Sequence, residues 1–309
     1  MKAMSHERST PVLQAEGLTK RYGRRRALTD CTLSVPSGRV IALVGPRGSG
    51  KSTLLQLCCG MVAPSRGRIR VLGERPDAGA AHLARVGYVP REPAVYGSFT
   101  VEDHLTMGAR LNPRWDRRLA DRRIASAGIP RTRRADRLSA GQRAELALTL
   151  AGGKRPELLV LDEPGAVLDA PARASFLRGV LDFVAEIDAS VLISGHPSGE
   201  VERLCDHLIV LSDSRVLVAG DVRDLLARHH RIIAPRGELD RLPPGMEPIW
   251  VEDFGSYSGG VVRAEVDLPR RPWTVERVEL EELVLSYLSR ASGAPALAGC
   301  LIAPGQPGS

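Results

Sequence analysis

Apolar residues along this chain fall into short runs whose spacing changes from one region to the next. Residues 12–18 (Val-Leu-Gln-Ala-Glu-Gly-Leu) and 31–35 (Cys-Thr-Leu-Ser-Val) alternate in part and are bounded by Gly, Pro and Arg, which predicts antiparallel strands. Residues 40–44 (Val-Ile-Ala-Leu-Val) predict a strand entering a Gly-rich loop, and Leu54, Leu55 and Leu57 a helix after it. Glycine and proline within 60–67 end that helix and turn the chain into a strand at 68–72, with another strand at 86–89. From Thr100 to about Leu150 the spacing becomes helical, opened by Val101, Leu105 and Met107 and closed by Leu146, Leu148 and Leu150: a helical insertion between strands. Residues 158–161 (Leu-Leu-Val-Leu) are apolar without alternation, the pattern of a parallel strand buried on both faces, and Val191, Leu192 and Ile193 predict another core strand. A hairpin is expected from 208–211 and 216–219, followed by a helix from Asp221 to about His230. Farther on, 231–234, 248–252 and 261–266 read as short strands, and 278–288 as an amphipathic helix with Leu280, Leu283, Val284, Tyr287 and Leu288 on one side. The mixture of strands and helices predicts an α/β protein, and 309 residues leave room for one large domain and an appendage.

The loop after residues 40–44 reads Gly45-Pro46-Arg47-Gly48-Ser49-Gly50-Lys51-Ser52-Thr53 and fits G-x-x-x-x-G-K-[ST] between strand and helix. Its glycines let backbone N–H groups turn inward at a helix N-terminus, where unpaired donors and the helix dipole favour an anion. Lys51 is then placed to reach the β- and γ-phosphates of a nucleotide and Ser52 to give its hydroxyl to Mg²⁺, with Thr53 one step along the same helix. The strand at 158–161 delivers Asp162 and Glu163 at its C-terminal edge, where open α/β sheets place ligands. Asp162 is expected there to hold Mg²⁺ through water, and Glu163 to polarise an attacking water. Three further positions read two ways on their own. Tyr22 suits an adenine ring or a packed turn, Ser139 in Leu138-Ser139-Ala140-Gly141-Gln142-Arg143 suits a helix N-cap, and His196 after Ser194-Gly195 suits a satisfied core histidine.

Composition narrows the classes. With 43% apolar residues the chain can bury a full core, and no run approaches the roughly 18 to 20 uncharged apolar residues of a membrane-spanning helix. Residues 1–10 are polar, without the apolar centre of a signal peptide, so a cytosolic protein is expected. Five cysteines (Cys31, Cys58, Cys59, Cys205 and Cys300) without a C-x-x-C indicate neither a disulfide framework nor a zinc site, and they read as buried thiols. The net charge of +7 comes from arginine, 39 of 43 basic residues, and nine of those arginines lie between Arg114 and Arg137. With Asp116, Asp121 and Asp136 among them and no RNA-binding aromatic signature nearby, the cluster reads first as a solvated helical face, then as a membrane-proximal surface, and nucleic acid is not expected.

The order of these motifs resembles the ATP-binding subunit of an ABC transporter over roughly residues 12–230. The adenine-stacking aromatic of that family falls on Tyr22, the Walker A loop on Gly45 to Thr53, the signature on Leu138 to Gln142, Walker B on Leu158 to Asp162, the catalytic glutamate on Glu163, the D-loop on Ala166 to Asp169 and the switch histidine on His196. The resemblance implies a P-loop NTPase cassette: a RecA-like mixed sheet, an antiparallel β subdomain, a helical subdomain at about 95–150 and a small C-terminal α/β appendage. The expected boundaries are 1–11 for an N-terminal tail, 12–230 for the cassette, 231–290 for the appendage and, from its richness in Gly, Pro, Ala and Ser, 291–309 for a disordered tail. ATP and Mg²⁺ are the implied cofactors, with Ser52 and Asp162 at the metal and Glu163 and His196 at the attacking water. The implied partners are a separate membrane-spanning subunit and a second cassette, either another copy or a homologue, whose Ser139, Gly141 and Gln142 counterparts close over the γ-phosphate. The chain is then peripheral on the inner face of the cell membrane, and its appendage suggests an exporter. A non-transport ATPase acting on ribosomes or nucleic acid, and a degenerate-site partner, are the alternatives. Ala140 and Ala166 depart mildly from the family pattern. Arg91 departs strongly, standing where a glutamine contacts Mg²⁺, and it is expected to turn to the γ-phosphate or to a carboxylate such as Glu92.

Overall fold

Strands β1 (Leu13–Tyr22) and β2 (Arg25–Val35) pair antiparallel down to Tyr22 opposite Arg25, so the hairpin turn is tighter than the sequence suggests and Tyr22 ends a strand instead of sitting in a connection. The structure, a computed structural model, describes residues 10–77, 79–197, 201–239, 242–266 and 273–293. Most of the expected terminal tails, and Cys300, lie outside the described residues.

After β2 come β3 (Val40–Val44), α1 (Lys51–Cys58) and β4 (Arg66–Val71), and β4 joins the hairpin in a three-stranded sheet ordered β2-β1-β4. Helix α2 (Ala80–Arg85) and strand β5 (Val86–Val89) lead to the helical insertion, made of α3 (Val101–Leu111), α4 (Arg117–Ser126) and α5 (Ala140–Gly152). Then follow β6 (Leu158–Leu161), α6 (Ala170–Ile187), β7 (Ser190–Gly195), β8 (His207–Ser212) and β9 (Arg215–Asp221). The central sheet is ordered β5-β6-β7-β3-β8-β9, parallel throughout except for the antiparallel β8–β9 hairpin.

The period of two along these strands sorts their side chains into two cores. Ile41, Leu43, Leu158, Val160, Ile209 and Leu211 face α1 and the three-stranded sheet. Ala42, Val44, Leu159, Leu161, Leu208 and Val210 face α5 and α6. Both sides are apolar, which is why 158–161 shows no alternation. The helical insertion keeps a smaller core of its own around Val101, Leu105, Ala120, Ile124 and Leu146, and Thr100–Asp103 and Ser139–Gln142 close capping boxes on α3 and α5. Much of the arginine cluster is an ion-pair network: Arg117 and Arg131 share Glu102 and Asp121, Arg122 pairs with Glu186 and Arg123 with Glu145. Helices α2 and α6 are not among the sequence expectations. Helix α6 was nonetheless signalled by Asp169, whose side chain caps it, by proline in its first turn, and by Phe176, Leu177, Val180, Phe183, Val184 and Ile187 on one face.

Helix α7 (Val222–Arg228) ends earlier than the expected His230, because His229 opens strand β10 (His229–Pro235) opposite Arg263. The His229 ring bonds the Leu225 carbonyl through Nδ1 at 2.7 Å and the Tyr287 hydroxyl through Nε2 at 2.9 Å. Strands β11 (Met246–Phe254), β12 (Tyr257–Ala264) and β13 (Thr274–Arg277) complete an antiparallel sheet ordered β11-β12-β10-β13; β13 is an addition to the three expected strands. Helix α8 (Leu280–Ser292) packs Leu283 and Tyr287 against Ile249 and Val261 of this sheet and against Leu217 and Val218 of β9, and it inserts Val284 into the cassette core. Arg231 fixes its start through two bonds to the buried Glu282, at 2.8 and 2.7 Å. Cys31, Cys58 and Cys59 are buried free thiols, as expected, whereas Cys205 is only half-buried, and burial pushes the Cys59 thiol up to about 12.

Two predictions follow from this packing. A Cβ added at Gly152 would fall 2.1 Å from the Phe183 ring, whereas one at Gly179 meets nothing closer than 3.9 Å. Gly152→Ala is therefore expected to destabilise by about 1–3 kcal/mol through overpacking, and Gly179→Ala in the same helix pair to stabilise by about 0.5–1 kcal/mol, read as opposite shifts in Tm. His207 is 4% exposed with neither ring nitrogen hydrogen-bonded among the described residues, and burial pushes its pKa down to about 4. The unfolded chain then holds more protons between pH 6.5 and 4, so stability falls across that window, by about 3 kcal/mol in full. Denaturant titrations from pH 7 to 4 check this, and His207→Leu should flatten the slope.

Candidate functional site

The loop joining β3 to α1 is pressed between neighbouring backbones. A Cβ at Gly45 would lie 2.0 Å from the Leu211 carbonyl oxygen, and one at Gly50 2.3 Å from that of Ala27, with Gly50 at φ 111°. Only glycine fits these two approaches. Lys51 opens α1 and is buried; its Nζ donates to the carbonyls of Gly45 at 2.7 Å and Pro46 at 3.1 Å. Burial lowers its pKa from the usual lysine value, while Glu163 and Asp162 pull it back up. Ser49 is 3% exposed and its hydroxyl has no hydrogen-bond partner among the described residues. The Ser52 side chain is exposed at the helix start.

Strand β6 delivers the two acids. Asp162 is buried, with its N–H donating to the Val89 carbonyl of β5 at 2.9 Å. Ser194 at the end of β7 donates its hydroxyl to Asp162 Oδ1 at 2.8 Å and accepts from the Glu163 N–H at 2.8 Å. Glu163 has φ 45°, which turns its side chain back over the loop. Its carboxylate lies 3.7 Å from Lys51 Nζ, 3.3 Å from Arg91 Nη1 and 3.6 Å from His196 Nε2.

A cleft of about 320 Å³ joins these groups to Tyr22, Arg25, Arg47, Gly48, Ser52 and Thr53. Tyr22 is 45% exposed there, with the Lys20 ammonium 4.9 Å from its ring centroid. Of the positions singled out in the sequence, the structure thus gathers Tyr22, Arg47, Gly48, Gly50 to Thr53, Glu163 and Arg91 on one cleft, with Asp162 and His196 touching it through Ser194 and Glu163, whereas Gly45, Pro46 and Ser49 do not line it. Ser139, Gly141 and Gln142 are elsewhere. Ser139 and Gln142 bond each other at the start of α5, and Gly141 faces Leu168. Arg91 is corrected in one respect: its carboxylate partner is Glu163, because β5 and β6 pair Val89 with Leu161 and so carry both residues two steps past the same register point. Sequence reading missed Arg25 and Ser194. Arg25 was hidden among three consecutive arginines, and Ser194 looked like part of a polar strand end.

The donor set around the cleft suits phosphate oxygens: Lys51, Ser52 and Thr53 at the N-terminus of α1, with Arg25, Arg47 and Arg91 beside them. Ser52 and Asp162 are hard oxygen ligands of the kind Mg²⁺ takes, and they are too few to hold it without ligand oxygens. No group of three or more His, Cys, Asp or Glu able to bind a metal occurs among the described residues.

Residues 28–166 match the family model described as ABC transporter. The Fe(3+) ions import ATP-binding protein FbpC of Pseudomonas fluorescens is 34% identical over 216 residues, 68% of this chain and 61% of the relative. The molybdenum import ATP-binding protein ModC of Aromatoleum aromaticum is 36% identical over 208 residues, 64% of this chain and 55% of the relative. The sulfate/thiosulfate import ATP-binding protein CysA of Yersinia pseudotuberculosis is 28% identical over 283 residues, 85% of this chain and 77% of the relative. The chain therefore spans less than two thirds of the length of the first two. These relatives are named as import proteins, so the similarity gives the exporter expectation no support. A solved ATP-binding subunit of an ABC transporter superimposes with a TM-score of 0.61 at 28% identity, covering 70% of this chain and 92% of that one. An ATP-binding cassette in its ADP conformation gives 0.61 at 24% identity, covering 70% and 93%. With the sheet order, the phosphate loop and the acids at the end of β6, these likenesses show that the chain has the P-loop cassette fold of ABC-transporter ATP-binding subunits.

Proposed function

We propose that this chain binds and hydrolyses ATP as the nucleotide-binding subunit of an ABC transporter. The observation that carries the reading is the convergence of Lys51 and Glu163, 3.7 Å apart, at the mouth of a glycine-tight loop that leads into a helix N-terminus. Tyr22 offers a ring face for adenine, and the loop amides and Lys51 take the phosphates. Ser52 and Asp162 would hold Mg²⁺, which supplies positive charge to the phosphate oxygens when bound. Ser194 orients Asp162 by its hydrogen bond and, through the Glu163 N–H, fixes the backbone from which the Glu163 carboxylate projects. Glu163 accepts a proton from the attacking water as general base, and His196 beside it steadies that carboxylate and the terminal phosphate.

A complete site needs a second cassette. The signature positions Ser139, Gly141 and Gln142 stand at the exposed N-terminus of α5, outside the cleft of their own chain, so we infer a head-to-tail pair in which each chain's α5 faces the other's phosphates. No described helix is long and apolar enough to cross a membrane. By likeness to ATP-binding import subunits, we place the transport path on a separate membrane subunit and this chain at its cytoplasmic face. Import is the direction we propose. The relatives are named for it, and the one aligned over 283 residues extends beyond the cassette into the C-terminal sheet. The imported molecule is recognised by other subunits, since the cleft here fits nucleotide chemistry.

Steady-state hydrolysis tests the reading. Turnover of ATP is expected with Mg²⁺ and absent in EDTA, and Glu163→Gln should lower kcat by about 10²–10⁴-fold while ATP still binds. Lys51→Ala should lose ATP binding itself by equilibrium dialysis. Hydrolysis that survives Glu163→Gln unchanged would remove Glu163 from the role of base.

A further inference from the structure

Arg91 and Glu163 are brought together by sheet register. Val89 pairs with Leu161, the Asp162 N–H donates to the Val89 carbonyl, and two residues past that pair the Arg91 guanidinium stands 3.3 Å from Glu163 Oε2. The contact is Coulombic. Glu163 Oε2 is buried and takes part in no hydrogen bond among the described residues, so nothing directional holds the guanidinium there. Lys51, the other strong cation at this carboxylate, is also tied by two hydrogen bonds to the loop carbonyls. Arg91 has no second ion pair or hydrogen bond among the described residues, its side chain is 48% exposed, and it lines the cleft beside Lys51 and Arg47.

A single long contact to one carboxylate oxygen is a poor use of an arginine, whose planar fork is made for two parallel bonds to an oxyanion. A terminal phosphate offers three equivalent oxygens and more charge than Glu163. We propose that Arg91 is a sensor of the third phosphate: a nucleoside triphosphate draws the guanidinium off Glu163, and the same exchange frees the carboxylate to act on water. This rests on the nucleotide-binding reading above and adds a coupling to it. A diphosphate ends one phosphate short and leaves the Arg91–Glu163 pair in place, so the base is released only when there is a phosphate to transfer. A neutral side chain at position 91 could neither hold Glu163 by charge nor prefer the more highly charged ligand.

Isothermal titration of the full chain with ADP and with AMP-PNP, both in EDTA so that neither metal nor hydrolysis intervenes, tests the sensor. In Arg91→Gln the affinity for AMP-PNP should fall by about tenfold, as expected for one charge-assisted bond, while that for ADP stays within about twofold. Arg91→Lys, which keeps the charge without the fork, should recover part of the loss. Glu163→Gln should tighten AMP-PNP several-fold because Arg91 no longer leaves a charged partner, and that gain should vanish in the Arg91→Gln/Glu163→Gln double variant. An equal loss for both nucleotides, or none, would overturn the sensor and leave the nucleotide site standing. Failure of the unaltered chain to bind either nucleotide would overturn the site and the sensor together.

Discussion

The strands β3, β6, β7 and β8 are buried on both faces, and that constraint governs where chemistry can occur in this molecule. A side chain along such a strand has an apolar core above or below it, so a charge there would lose its hydration with nothing to replace it. Polar groups are therefore driven to the strand ends. At the C-terminal edge the chain places the phosphate loop after β3, Asp162 and Glu163 after β6, and Ser194 and His196 around the end of β7. Parallel pairing aligns these ends side by side, so residues more than a hundred positions apart reach the same carboxylate. His207, a buried polar residue, sits at the opposite end of its strand, where burial keeps its ring neutral.

Within the site, charge is crowded so that it can be redistributed. Two carboxylates stand among Lys51, Arg91 and His196, with Arg25 and Arg47 lining the same cleft. Cations outnumber anions, and the loop amides add partial positive charge of their own. A bound polyanion would restore the balance, and each protein ion pair here is long enough to be exchanged for a bond to it. Ser194 would keep the geometry through such an exchange, because its bonds go to Asp162 and to the Glu163 backbone and not to the Glu163 carboxylate.

The C-terminal sheet is an extension of this machine more than a separate body. Strand β10 begins at the residue after α7, α8 lies between the new sheet and β9, and Val284 reaches the core shared by β3, β6 and α6. The His229–Tyr287 and Arg231–Glu282 contacts tie the first strand of the appendage to its last helix. Movement of α6 or β8 would therefore be felt in the appendage through apolar contact.

The sequence by itself determined the elements whose residues carry their own local instructions. Continuous apolar runs wrote the buried strands, the Gly-rich loop wrote the tight strand-to-helix turn, and Ser139 with Gln142 wrote a helix start; each depends on neighbours a few residues away. The order of those motifs also resembled one family closely enough to predict the cassette fold. Tertiary structure decided the rest. Strand β13 has little apolar pattern because it is a short, mostly exposed edge, and α7 stops at Arg228 because the His229 side chain finds Tyr287 far along the chain. The partner of Arg91 could not be read locally: Glu92 is its neighbour in sequence, while Glu163 is its neighbour only because β5 and β6 pair in parallel register. Register is a long-range property, fixed by which faces the whole sheet buries, so the electrostatics of the site emerged only once the sheet had formed.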